Sequence, residues 1–376
     1  MKLPLYIHIP FCRRKCDYCD FYSIDYSKEL ARSYINTLIG QIKSLKDQGF
    51  SFSTVYIGGG TPSVLDEYLL ERLLKTINCP GVKETTLEAN PESLTRPKLE
   101  IMRNLGLSRI SIGVQSFDNK VLSFLGRVHN KAQALKAVEL AEKTGFKNIS
   151  IDLIFGLPKR GLDFWKKELS QAAALEIKHI SLYSLTYEKG TPLYSRLKSR
   201  EFSPIGNEEE AEMYSYSIDF LSKKKFFQYE VSNFSKRGFD CRHNLFYWDN
   251  SSYLGLGASA VSYVNGVRKK YTLSVQEYVK KARGLSDEAV VEQEKLSPLR
   301  RAKETAALNI RRAKGINFLK FAKNTGFDFL TIEAKAKDKL LEEKLIVLKK
   351  RNSRIFGIKL TRKGFLFCDK VCREFL

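Results

Sequence analysis

Leu5-Tyr-Ile-His-Ile9-Pro-Phe-Cys12-Arg-Arg-Lys-Cys16-Asp-Tyr-Cys19 begins as a short apolar strand and passes, after Pro10, into a loop carrying three cysteines. Outward from this stretch the strand signal recurs. Runs rich in Ile, Val, Leu and Tyr stand at Leu5 to Ile9, Thr54 to Ile57, Thr85 to Glu88, Arg109 to Val114, Asn148 to Ile154 and His179 to Leu185. Between them apolar residues keep helical spacing over 28–48, 65–78, 95–105, 130–145 and 162–175. A βαβα order predicts a parallel sheet with right-handed crossovers. Six such strands precede a helix near 208–224 and a strand-like run at Gln228 to Val231. The expected fold is therefore α/β, a partial six-stranded parallel β/α barrel rather than a closed eight-fold one. Chemistry in such folds gathers on the loops after the strands' C-terminal ends, where the Gly and polar residues of this chain fall.

From about residue 296 the pattern turns helical: Leu299 to Arg311, with Ser297 as cap and Pro298 in the first turn, then Ile316 to Thr325 and 330–343. A hairpin at Leu345 to Leu348 and Ile355 to Leu360, turning at Asn352-Ser353, and a last helix after Thr361 complete a small winged-helix-like domain. The expected divisions are 1–235 for the partial barrel, 236–295 for a connecting region packed on it, and 296–376 for the C-terminal domain.

With 376 residues, 43% hydrophobic, the chain is long enough for one large domain and a small one, and no low-complexity tract suggests disorder. No apolar run reaches the ~18 to 20 residues of a spanning helix, and the start MKLPLYIHIP lacks a signal peptide's apolar core, so a cytoplasmic protein is expected. The net charge of +22 fits an anionic membrane surface, an acidic ligand or nucleic acid. Much of it is Lys spread over helices, which reads as a solvated face. A cluster from Lys349 to Lys363 lies on the expected wing, yet such domains also serve as packing modules, and nucleic acid is not the expected partner.

Seven cysteines, three within eight residues and four scattered, do not form a secreted disulfide framework. The Cx3Cx2C spacing of Cys12, Cys16 and Cys19 lets three thiolates on one loop grip three irons of a cubane and leave the fourth open. A zinc site wants four ligands in spaced pairs, and no second pair exists here. Gly58-Gly59-Gly60-Thr61-Pro62 follows the second strand, where a glycine run admits a small ligand's polar ends close to the backbone. Cys368 and Cys372 share a helical face and read as small packed hydrophobes, Cys241 as a weak candidate for an auxiliary thiolate, and His8 as a packed rim histidine.

Taken together, YIHIPFCRRKCDYC, GGGTPS, LEANPE (87–92), GVQSFD (113–118), DLIFGLP (152–158) and YEVSNFSKRGFDCRHNLFYW (229–248) resemble the radical S-adenosylmethionine (SAM) superfamily, in the group that holds oxygen-independent coproporphyrinogen III oxidase and the HemW-type haem chaperones. The resemblance spans nearly the whole chain. It implies a [4Fe-4S] cluster on Cys12, Cys16 and Cys19 whose open iron takes SAM, cleaved on reduction to a 5′-deoxyadenosyl radical. It also places Tyr6, Tyr18, Gly59, Gly60, Thr61, Glu88, Gln115, Arg127 and Asp152 around SAM. Those residue types suit the parts of that ligand. Tyr18 can lie on adenine, Glu88 and Asp152 can hold the amino group or ribose hydroxyls, Arg127 the carboxylate, and Gln115 both donates and accepts. Arg127 and Asp152 can equally pair with each other at the rim.

Within the group the oxidase pattern carries a fourth cysteine two residues past the third; here Phe21 stands there. His243-Asn-Leu-Phe-Tyr247-Trp248 matches the HNxxYW signature linked to haem binding, which makes His243 the expected haem ligand, with Tyr247 and Trp248 flanking the macrocycle. Val261 departs from the histidine that many chaperone-branch relatives carry. The resemblance thus implies a haem chaperone, with haem as cargo and haem-requiring, for instance respiratory, acceptor proteins as partners. Peripheral membrane-surface association and homo-oligomer formation are compatible with it. The alternative is oxidative decarboxylation of coproporphyrinogen III.

Overall fold

The computed structural model describes residues 1–282, 284 and 286–376. Six parallel strands form its centre: β1 (Lys2–Ile9), β2 (Ser51–Gly59), β3 (Thr85–Ala89), β4 (Arg109–Gln115), β5 (Ile149–Phe155) and β6 (His179–Ser184), paired in that order. The sheet stays open. Beyond β6 lie two short antiparallel strands, β7 (Phe227–Gln228) and β8 (Asn233–Ser235), and beyond β1 lies β9 (Leu254–Leu256), giving the order β9-β1-β2-β3-β4-β5-β6-β8-β7.

Of the strand-like run expected at Gln228 to Val231 only Gln228 is strand, ending β7, and the rest is the turn into β8. Tyr229 N bonds back to Asn233 O, and Glu230 bridges to Arg312 outside the sheet.

Crossover helices cover the outer face: α1 (Lys28–Asp47), α2 (Glu67–Ile77), α3 (Arg96–Asn104), α4 (Lys131–Lys143) and α5 (Leu162–Ala173), followed by α6 (Asn207–Lys223). Their starts are set locally. Ser27, Asp66 and Thr95 accept from the third residue beyond them, and Asn130 forms a capping box with Gln133. Period-two alternation then divides each strand. Leu5, Ile7, Val55, Ile57, Leu87, Ile110, Ile112, Ile151, Leu153, Ile180 and Leu182 join the helices' apolar stripes in one core. The alternate set is polar: Tyr6, His8, Tyr56, Glu88, Arg109, Ser111, Ser150, Asp152, His179 and Ser181. Bonds between neighbouring strands knit these side chains together inside the half-barrel, among them Tyr56 to Glu88 and Ser111 to Asp152.

The chain between barrel and C-terminal part forms α7 (Arg242–Trp248) and a sheet of β10 (Val261–Val264), β11 (Val267–Tyr271) and β12 (Val290–Lys295). The C-terminal part has α8 (Pro298–Asn309), strand β13 (Ile316–Asn317), α9 (Phe318–Thr325), α10 (Ala334–Glu342), the hairpin β14 (Ile346–Arg351) and β15 (Arg354–Leu360), and α11 (Cys368–Glu374). Its sheet order β13-β15-β14 and separate apolar core give the winged-helix-like arrangement. The helix expected over 330–343 is interrupted at Glu333. Among the described residues no helix is long and apolar enough to cross a membrane.

Candidate functional site

The strands' C-terminal ends open into a cavity of about 900 Å³, near the top of the usual range for ligand pockets. Cys12, Cys16 and Cys19 all line it. Among the described residues, no three His, Cys, Asp or Glu side chains converge on one point as a single metal ion requires. Three thiols facing one cavity are the donor set a cubane uses, each thiolate binding a different iron. Burial pushes the thiols of Cys12 and Cys19 up, Cys19 to about 11, so they ionise readily only beside a positive centre such as bound iron. Three thiols facing one void therefore fit the cluster.

Gly59 and Gly60 line the same void, and both must be glycine. Gly59 has φ +117°, and a Cβ there would sit 2.7 Å from the His8 ring; one on Gly60 would sit 2.8 Å from the Phe11 carbonyl. The glycine run thus lets β2 close against the cysteine loop as well as leaving its backbone open to the cavity. Thr61 Oγ1 lies 3.5 Å from Cys12 Sγ and accepts from Asn90 Nδ2 at 3.0 Å.

Glu88 is fixed by two donors, Tyr56 OH at 2.7 Å and Gly59 N at 3.2 Å. Burial raises its carboxyl to about 7. Asp152 is also raised, again chiefly by burial, and accepts from Ser111 at 3.4 Å. Two such carboxyls gain from any cationic group that enters. Arg127 spends its guanidinium on Asn90 Oδ1 (2.7 Å), Gly113 O (2.9 Å) and Cys16 Sγ (3.3 Å), and makes no ion pair with Asp152. Tyr18 lies beside it on the wall. Gln115 adopts φ +65° at the end of β4, a conformation that a non-glycine residue holds at a cost and that aims its side chain at the rim.

Two expected site residues lie elsewhere. Tyr6 does not line the cavity; its hydroxyl bonds His8 Nδ1 at 2.9 Å beneath the floor. His243 is fully buried, with Nδ1 2.8 Å from Thr54 Oγ1 and Nε2 2.9 Å from Tyr247 OH, so neither nitrogen is free to ligate iron. Its ring packs on Tyr56 at 5.2 Å, one layer behind Glu88. Glu84 holds the start of α7 through Arg242 N and His243 N and lies 3.6 Å from Cys241 Sγ. Cys241 is therefore a buried neighbour of Glu84, away from the cavity. The HNLFYW segment plugs the closed end of the half-barrel.

Several lining residues were not singled out by the sequence reading. Asn90 sits inside LEANPE and links Thr61 to Arg127. Tyr183 shares the inner-face alternation of β6, which could have revealed it. Arg311, Phe367, Cys368 and Arg373 reach the cavity from the C-terminal part, across a separation that local pattern does not encode. Cys368 and Cys372 share a face of α11, 3.9 Å apart and buried.

The radical SAM superfamily profile matches residues 6–166. "Heme chaperone HemW" of Lactococcus lactis is 35% identical over 99% of this chain and 96% of its own length, and that of Bacillus subtilis 34% over 99% and 98%. The solved coproporphyrinogen III oxidase (HemN) of Escherichia coli, described as a radical SAM enzyme, has a TM-score of 0.83 at 20% identity over 100% of this chain and 90% of its own; at that identity it speaks for the fold.

Proposed function

Because the chain belongs to the radical SAM superfamily and, within it, to the HemW haem-chaperone family, we propose that it binds haem and delivers it to haem-requiring acceptor proteins. The observation that carries this reading is the extent of the likeness, 35% identity over 99% of the chain. Phe21 supports it, standing on the cavity wall where the oxidase pattern has its fourth cysteine. Membership implies a [4Fe-4S] cluster and SAM, which when bound supply one-electron cleavage chemistry.

In this reading Cys12, Cys16 and Cys19 hold the cluster. Glu88 and Asp152 receive the amino group and ribose of SAM, Arg127 steadies the cysteine loop through Cys16 and Asn90, and Gly59, Gly60, Thr61, Gln115 and Tyr18 shape the seat. Cytoplasmic placement, peripheral contact with anionic membranes, respiratory proteins among the acceptors and self-association belong to the same reading.

The test is anaerobic reconstitution followed by two assays, haem titration and turnover of coproporphyrinogen III. Stable haem binding without protoporphyrinogen formation is expected; repeated SAM-dependent turnover would make the protein an oxidase. Replacing Cys12, Cys16 and Cys19 by Ala should abolish the roughly four irons per chain expected for a [4Fe-4S] cluster. Glu88→Gln and Asp152→Asn should keep that iron but weaken the change that SAM causes in the reduced cluster's spectrum. Wild-type SAM response in both would remove these two residues from the site.

A further inference from the structure

His243 is buried behind Tyr56 in this structure, and the surface offers one other place that stands out. Large apolar side chains that remain exposed are scattered over this molecule, but three of them line the same cavity: Phe21, 65% exposed, Tyr183, 44%, and Phe367, 48%. They come from three separate elements, the cysteine loop, β6 and the turn before α11. Exposed aromatic rings that share one concavity signal a ligand with a flat apolar face, since each alone would gain by burial.

Charges of both signs line the cavity, Asp20, Glu88, Asp152, Glu210 and Asp369 among them, but some of its cations are unpaired. Arg311 and Lys370 also line the cavity, but they are held by Asp369 and Glu343. Among the described residues, Arg14 and Lys15 on the loop side and Arg373 on the α11 side have no ion-pair partner, and all three line the cavity. A mouth with aromatic walls and free cations on two sides is complementary to a planar ligand bearing carboxylates. The cavity is also at the large end for one ligand, which leaves room at the mouth above the cysteine loop.

We infer that this mouth is the seat of the cargo: the haem plane lies against Phe21, Tyr183 and Phe367, with its carboxylate edge at Arg14, Lys15 and Arg373. The inference rests on the haem-chaperone reading and adds the place and the recognition chemistry. It assigns the C-terminal part a direct share in binding, through Phe367 and Arg373, and assigns His243 none.

The experiment is a titration of the reconstituted full chain with ferric protoporphyrin IX and, separately, with its dimethyl ester, followed by Soret absorption. Arg373→Glu and Arg14→Glu should each lower haem affinity about ten-fold or more, the scale of one charge-assisted hydrogen bond. Neither should change the weaker binding of the ester, which has no carboxylates. Arg373→Lys, which keeps the charge, should retain most of the affinity, separating recognition from misfolding. Phe367→Ser should weaken haem and ester alike. Wild-type haem affinity in all of these variants, with loss confined to His243→Ala, would overturn the inference while leaving the chaperone reading intact. Failure of the wild-type protein to bind haem at all would overturn the reading itself.

Discussion

At the scale of single residues, His243 carries the clearest consequence. Burial holds its imidazole down to about 3, and His179, also buried and set between Ser150, Arg109 and Tyr229, is displaced the same way. An unfolded chain takes up these protons near the ordinary value of about 6.5. Between 6.5 and about 3 the unfolded state therefore binds more protons, so the contribution is complete above 6.5 and is lost as pH falls. His243 should impose a slope of up to about 1.4 kcal/mol per pH unit in that window. His243→Ala should flatten the acid limb of a stability-against-pH curve measured by denaturant titration; an unchanged slope would show the imidazole to be solvated. At neutral pH the same variant strands the hydroxyls of Thr54 and Tyr247 and should cost about 2–4 kcal/mol.

At the scale of elements, the wing hairpin offers a test in the stabilising direction. Arg351 pairs with Arg354, so Asn352 and Ser353 form a two-residue turn, and both have positive φ, 47° and 61°. Asn is suited to that conformation, whereas Ser is not, and Asn-Gly is the favoured pair for such a turn. Ser353→Gly should raise stability by about 0.5–1 kcal/mol, read as a higher midpoint of thermal unfolding; a lower midpoint would mean the turn is of another kind. Elements of this sort were legible in the sequence because their signals are local. The cap at Ser297, the six apolar strands and the Asn352-Ser353 turn all lie within a few residues of the structure they specify. The strand expected at Gln228 to Val231 stops at Gln228 because the chain turns back there, Tyr229 bonding Asn233 across the hairpin and Glu230 bridging to Arg312. The burial of the HNLFYW histidine was hidden from the sequence for a related reason. A motif names residue types, while whether an imidazole faces a cavity or a plug depends on Thr54, a residue 189 positions earlier.

At the scale of the molecule, the C-terminal part is a wall of the site and must be held there. Arg362 clamps it to α6, giving two nitrogens to Asp219 at 2.9 and 2.7 Å and a further bond to the Ser215 carbonyl. On the other side α7 ties to α8 and α9 through Asn309 to Trp248 O and through Asp249, which is shared by Arg312 and Lys320. The Arg362 pair is largely exposed, so its loss should cost no more than about 1 kcal/mol globally. Arg362→Ala should nonetheless speed amide exchange across 362–374 selectively. Uniform exchange throughout the chain would mean that the clamp does not hold the wall.

The cavity joins parts of the chain made far apart in time. Its cysteine loop is translated near the start, whereas Phe367 and Arg373 follow more than 340 residues later. Because domains fold as units with the N-terminal one first, the half-barrel can assemble on the ribosome with its mouth unroofed. Iron and sulfide can therefore reach Cys12, Cys16 and Cys19 during synthesis, but a carboxylated ligand that needs Arg373 cannot be held until the C-terminal part has been made and has docked. The order of synthesis would thus give the cluster a head start over the cargo.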